Sequence, residues 1–212
     1  MTIALVATAT TVLALVALLA GERRAAMAIK AIAKPIASSG FIAVVLSVGL
    51  PTSAYAQAVM GALILSWFGD VLLLWHDRRI FLAGLVAFLL GHVGFCVAFV
   101  AHGVDTRTAA AAAVALTIVG VVIGRWLLPQ VPAALRVPVA AYIVVISVMA
   151  ALAAGTGPVV LGAAIAFYVS DLSVALDRFV GARFVYRAWG LPLYFGAQLV
   201  FAWTVAYPAS MT

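Results

Sequence analysis

Residues 66–75 read SWFGDVLLLW, an apolar run broken by one carboxylate, Asp70. The apolar character reaches back to position 56, and roughly 20 such residues in a helix span a bilayer's hydrocarbon core. The rest of the chain has the same character. Its 212 residues are 67% hydrophobic and 8% charged, with mean hydropathy +1.27. A soluble domain is about half apolar and about a quarter charged. The composition therefore points to an integral membrane protein. In lipid, a helix satisfies its own backbone polar groups, and the period-2 alternation of a membrane barrel is absent. The expected fold is all-α, a single polytopic membrane domain over residues 1–212.

Eight apolar runs are expected to span, at approximately 2–20, 33–50, 56–75, 80–101, 108–128, 137–154, 158–176 and 188–207. The first ends in LLAGERR and has no basic residue before its apolar stretch. It reads as a retained span rather than a cleaved signal peptide. Cys96, the single cysteine, lies inside an apolar run and reads as a small buried hydrophobe.

Charge sets the orientation. Arg23, Arg24, Lys30, Lys34, Arg78, Arg79, Arg125, Arg136, Arg178, Arg183 and Arg187 all fall in the odd-numbered connections, which leaves only Arg107 on the other side. Short cytoplasmic loops collect Lys and Arg. Eight crossings with both termini on the non-cytoplasmic side, in the cell (plasma) membrane, follow from this split. The excess of +6 reflects topology, and no nucleic-acid partner is expected.

This orientation places Asp70 six residues before His76, roughly 9 Å inside the cytoplasmic end of its helix. FYVSDLSVALDRF places Asp171 six residues before Asp177, at the same depth. Buried carboxylates are costly in a membrane and mark sites or pathways. Further polar residues fall in the same half. Lys34 opens the second run with Pro35 in its first turn; Ser66 shares a helical face with Asp70; Ser170 precedes Asp171; His92 lies near the midplane. Tyr194 and Gln198, four apart, share one face. Gly84, Phe88, Gly91 and Phe95 form a close-packing seam at helical spacing. His76 and Asp77, beside Arg78 and Arg79 at the membrane edge, read as solvated loop chemistry, and His102 and Asp105, on the opposite side, as incidental.

Two stretches repeat. GDVLLLWHDRRIFLAG from Gly69 parallels SDLSVALDRFVGARF from Ser170, and KPIASSGFIAVVLSVGL from Lys34 parallels VPVAAYIVVISVMAAL from Val137. The offset is 103 residues for the prolines and 101 for the aspartates. Four spans per unit gives a parallel 4+4 repeat, with Asp70 facing Asp171 across its pseudo-twofold interface.

The motifs KP at Lys34, GALILSWFGDVLLL, FLAGLVAFLLGHVGF, AFYVSDLSVALDRF and LPLYFGAQLV resemble the YhhN-like lysoplasmalogenase family, from Lys34 to about Val200. LYFGAQL departs from the tyrosine-rich segment expected before Ala-Gln. The resemblance implies a membrane ether hydrolase that cleaves the vinyl-ether bond of lysoplasmalogens. The products are a fatty aldehyde and glycerophosphocholine or glycerophosphoethanolamine. Such a bond opens by proton transfer to carbon, which forms an oxocarbenium ion, as in glycosidases. Two neighbouring carboxylates do not both ionise readily, so one can hold a proton beside the other's charge. Asp70 and Asp171 are the expected catalytic pair, with Asp70 preferred as base, assisted by Ser66 and His92, and Asp171 as acid. Lys34 at the rim is expected to bind the substrate phosphate, and Gln198 and Tyr194 the glycerol hydroxyl or ether oxygen.

The partners are then the lipid substrate, water and the bilayer, and oligomeric state is open. No cofactor is expected. A metal held by Asp70, Asp171 and His92 is the mechanistic rival, without the tight ligand spacing that such sites favour. The functional rivals are a proton-coupled transporter, a lipid-binding membrane protein or a hydrolase of another amphiphile.

Overall fold

A computed structural model of the chain describes residues 1–75 and 77–206. Eight long helices run in order: α1 (Thr2–Arg23), α2 (Met27–Leu46), α3 (Ala54–Leu72), α4 (Arg78–His102), α5 (Thr106–Leu127), α6 (Ala133–Thr156), α7 (Pro158–Ala175) and α8 (Phe184–Ala206). A 3-10 turn, Leu128–Gln130, follows α5, and a π-helical turn, Leu176–Val180, follows α7. Among the described residues there is no strand. Seven of the helices are long and apolar enough to cross a membrane, so the chain is a multi-pass membrane protein. The remaining helix, α8, has 23 residues but carries Arg187, Tyr194 and Gln198. His76 lies outside the described residues.

Helix boundaries follow hydrogen bonding rather than hydropathy. Helix α2 begins at Met27, not at position 33. Lys34 and Pro35 therefore sit in its interior instead of opening it. The extra turns carry Lys30, whose cation ends an apolar run but not a helix. Helices α6 and α8 likewise start about one turn before their apolar runs, with Pro138 and Pro192 inside them. Three starts are capped by side chains. The Ser53 hydroxyl accepts from Ala56 N; Asp77 accepts from Arg79 N and Ile80 N; Asp105 accepts from Arg107 N and Thr108 N. Asp77, read as loop chemistry, and Asp105, read as incidental, are thus both helix caps.

Packing runs pairwise. Helix α1 lies on α2, α3 on α4, α5 on α6 and α7 on α8, while α2 meets α8 and α4 meets α6. Advancing every helix by four converts α1–α2 into α5–α6, α2–α3 into α6–α7, α3–α4 into α7–α8 and α2–α8 into α6–α4. The α1–α8 and α3–α8 packings have no counterpart of similar extent. The α3–α4 seam contains the spaced glycines. A Cβ on Gly84 would press on Leu73, and one on Gly91 on Ser66 and the Ala62 carbonyl. The centre holds fully buried Phe41, Phe95, Phe99, Phe167, Phe195 and Phe201, with the Phe95 and Phe201 ring centroids 4.4 Å apart. Cys96 is a half-buried free thiol packed against this core.

Candidate active site

A cavity of about 210 Å³ opens at the bundle end where the basic residues gather, and both Asp70 and Asp171 line it. Each carboxylate is held by one side chain or more from the preceding helix and one from a helix packed across.

Asp70, on α3, is 1% exposed. Its Oδ2 accepts from the Ser38 hydroxyl at 2.5 Å and the Tyr194 hydroxyl at 2.6 Å. Lys34 Nζ lies 3.2 Å from Oδ1. Lys34 and Ser38 are one turn apart on α2 and so share a face; Tyr194 reaches in from α8. Local packing seats these groups. A Cβ on Gly69 would enter the Phe88 ring, so the glycine lets α4 close on α3 beside Asp70. Gly190, one turn before Tyr194, packs directly on Ser173 of α7. Three donors, one an ammonium, fit an ionised carboxylate and leave one of its four acceptor sites open.

Asp171, on α7, accepts from the Tyr142 hydroxyl of α6 at 2.7 Å through Oδ2. His92 Nε2, from α4, stands 3.4 Å from the same oxygen. His92 Nδ1 is 2.6 Å from the Phe88 carbonyl. A carbonyl only accepts, so Nδ1 carries a hydrogen. Neutral His92 then presents a lone pair at Nε2 towards a carboxyl oxygen. Two acceptors do not pair, so a proton belongs between them, either as Asp171 carboxylic acid or as His92 imidazolium. One cluster therefore suits a fixed anion, and the other a proton shared between carboxyl and imidazole.

The matched residues of known proteins cover this whole arrangement. The YhhN family matches residues 29–205, which include both clusters.

The chain belongs to the YhhN family.

A relative, lysoplasmalogenase TMEM86A of Bos taurus, is 28% identical over 170 residues, covering 72% of this chain and 67% of that protein. No solved structure matches. Within this YhhN protein the structure gathers Asp70, Asp171, Lys34 and Tyr194 around one cavity, with His92 buried behind its wall, beside Asp171 rather than Asp70. Lys34 is not a free rim cation; it is the counter-ion of Asp70, with its side chain 12% exposed. Ser66 does not reach the cavity. Its hydroxyl donates to the Ala62 carbonyl at 2.9 Å, because a helical serine turned towards a packed neighbour bonds its own backbone. Ser170 is on the cavity wall, but its hydroxyl donates to the Phe167 carbonyl at 2.7 Å. Gln198 is fully buried one turn beyond Tyr194, with neither amide atom making a hydrogen bond among the described residues, and it does not line the cavity. Among the described residues no three His, Cys, Asp or Glu side chains converge as a ligand set.

Sequence reasoning missed Ser38 and Tyr142. Their signal is present: each follows a proline by three or four residues, in the two stretches that repeat. It also missed an outer ring of Glu22, Lys30, Asp177 and Arg187 at the cavity mouth. Nothing in local spacing joins those four, which come from both ends of the chain.

Proposed function

We propose that the chain is a lysoplasmalogenase that opens a vinyl ether by proton transfer from the Asp171–His92 pair and stabilises the resulting cation with Asp70. The proton required between Asp171 and His92, on the same cavity as a lysine-paired carboxylate, carries this reading.

The Asp171–His92 proton goes to the alkenyl carbon one removed from oxygen, and the C=C electron pair forms the new C–H bond. Positive charge appears on the oxygen-bearing carbon as an oxocarbenium ion. Asp70 supplies negative charge where that cation forms. Water then bonds to the cationic carbon and loses a proton to the open acceptor site of Asp70. The hemiacetal that results breaks its C–O bond to glycerol; glycerol oxygen takes the proton held by Asp70, and the hydroxyl proton returns to the Asp171–His92 pair as the aldehyde forms. The sum consumes one water and restores both clusters. Tyr142 and Tyr194 hold the carboxylates in line, and the apolar wall around Phe81, Leu85, Ile123 and Ile146 accommodates the alkenyl chain.

In the membrane, this reading has eight crossings, with α8 as the eighth, both termini outside and the cavity mouth at the cytoplasmic face of the cell membrane. It also has a parallel 4+4 repeat. Asp70 takes partners from α2 and α8, and Asp171 takes them from α6 and α4. These are the helices that exchange under a shift of four.

The test is purified protein with 1-alkenyl-glycerophosphoethanolamine, with released aldehyde measured. Wild type is expected to release aldehyde, and Asp171→Asn to slow it by about 10²–10⁴, the usual worth of a general acid. Absence of aldehyde from every vinyl-ether substrate, with proton-coupled uptake instead, overturns the reading in favour of a transporter.

A further inference from the structure

The mouth of the cavity carries a four-charge ring that the chemistry above does not use. Arg187, at the start of α8, binds Glu22 of α1 through Nη1 and Asp177 of the π-helical turn through Nη2 at 2.7 Å. Lys30 of α2 stands 3.5 Å from the same Glu22 carboxylate. All four side chains line the cavity and remain 11–29% exposed. The ring is an open one, its contacts running Lys30–Glu22–Arg187–Asp177; it sets two cations against two anions and ties the α1–α2 end to the α7–α8 end.

We propose that this ring is the headgroup subsite and selects a zwitterionic phosphoammonium group over an anionic or uncharged one. The inference rests on the lysoplasmalogenase reading of the inner site. A phosphate entering the ring takes the carboxylates' places on Arg187 and Lys30, and the attached ammonium takes the cations' places on Glu22 and Asp177. Each internal ion pair is exchanged for one of the same kind, so opening the ring strands no buried charge. An anionic headgroup satisfies the cations and leaves Glu22 and Asp177 facing more negative charge. A headgroup without phosphate offers nothing to exchange.

Spacing agrees. Lys30 is one helical turn, about 6 Å, outside Lys34 on α2, and Lys34 touches the catalytic Asp70. In a lysoplasmalogen, the ether oxygen and the phosphorus are separated by a chain of five bonds, which extends roughly 6–7 Å at about 1.5 Å per bond. A vinyl ether at the inner carboxylates therefore puts its phosphate at the level of the ring.

The experiment compares kcat/KM of full-length protein for three substrates of one chain length: 1-alkenyl-glycerophosphoethanolamine, 1-alkenyl-glycerophosphoglycerol and 1-alkenylglycerol. Arg187→Gln is expected to raise KM for the ethanolamine substrate about tenfold, as loss of a charged hydrogen bond does. The ratio of that substrate to 1-alkenylglycerol falls by the same factor, and Arg187→Lys restores part of it. Glu22→Gln is expected to move preference towards the phosphoglycerol substrate. Ratios that stay at the wild-type value in both variants, or a uniform fall in kcat for all three substrates, make the ring a structural latch and overturn the proposal.

A second arm is independent of catalysis. Saturated alkyl-ether analogues of the same lipids are tested for raising Tm. Greater stabilisation by the ethanolamine analogue than by alkylglycerol, lost in Arg187→Gln, supports the subsite even if no aldehyde is ever released. Equal stabilisation by both overturns it.

Discussion

Asp70 and Lys34 are each other's only charge of opposite sign within direct reach among the contacts described, and both are nearly sealed from water. Asp70→Asn therefore does two things: it removes the proposed base and it strands an ammonium. The stranding is expected to cost about 3–5 kcal/mol of stability, the usual penalty for breaking a buried pair. In the double variant Asp70→Asn/Lys34→Gln, denaturation should return most of that stability while aldehyde release stays abolished. Recovery of both together would mean that Asp70 acts only as a structural ion. At the other cluster, the proposed mechanism has His92 act through Asp171. His92→Gln is expected to lower kcat more than it raises KM, because it removes a proton site and not a lipid contact. A pH–rate profile separates this from misfolding: the limb belonging to the shared proton should move in His92→Gln, whereas a merely packing role would leave the profile in place.

At the scale of elements, a close contact between α7 and α8 lies one turn before Tyr194. Gly190 packs on Ser173, whose hydroxyl donates to the Ser170 carbonyl at 2.6 Å. A methyl group at Gly190 collides with both the Ser173 Oγ and Cβ. Gly190→Ala is expected to cost about 1–3 kcal/mol by overpacking and to lower activity by displacing Tyr194. The pair Gly190→Ala/Ser173→Gly should recover stability in thermal unfolding; a double variant no better than the single would place the strain elsewhere. Helix ends are governed by different forces. The Thr108 hydroxyl, with the backbone N–H groups of Thr108 and Arg107, holds the Asp105 carboxyl below its ordinary value. A lowered carboxyl contributes stability above its unfolded pKa, about 3.9, and loses it as pH falls through the folded value. The start of α5 should accordingly fray only in acid, which hydrogen exchange of Thr108 can follow.

At the scale of the molecule, orientation and repeat are linked. With eight crossings, single cysteines placed at Ala25 and Arg183 in a Cys96→Ala background should be protected from an impermeant thiol reagent in intact cells. Cysteines at Ser53 and Gly103 should be labelled. The opposite pattern would invert the chain and put the cavity mouth outside. The proposed repeat has a residue-level counterpart that apolar similarity alone does not reveal. Pro35 and Pro138, Asp70 and Asp171, and His92 and Tyr194 are separated by 103, 101 and 102 residues. The last pair are the cross-packed partners of the two carboxylates, on α4 and α8. These positions hold an imidazole beside one aspartate and a phenol beside the other, the difference on which the proposed division between acid and anion rests.

Sequence by itself determined the class of fold, the number of long helices and the two unusual carboxylates, because lipid imposes length and apolarity on every segment and penalises each buried charge. It did not determine where the helices start, since hydrogen bonding continues past Lys30 where hydropathy stops. Nor did it assign partners. Lys34 looks like a rim cation until α2 and α3 pack and bring it 3.2 Å from Asp70. Ser66 shares a face with Asp70, yet one turn earlier, at Ser66, that face packs on Gly91 of α4 rather than opening to the cavity. The Glu22–Arg187 contact joins residues 165 positions apart, a distance over which no local pattern carries information. Composition sets what each helix must bury; only the packing of eight helices decides which polar groups meet.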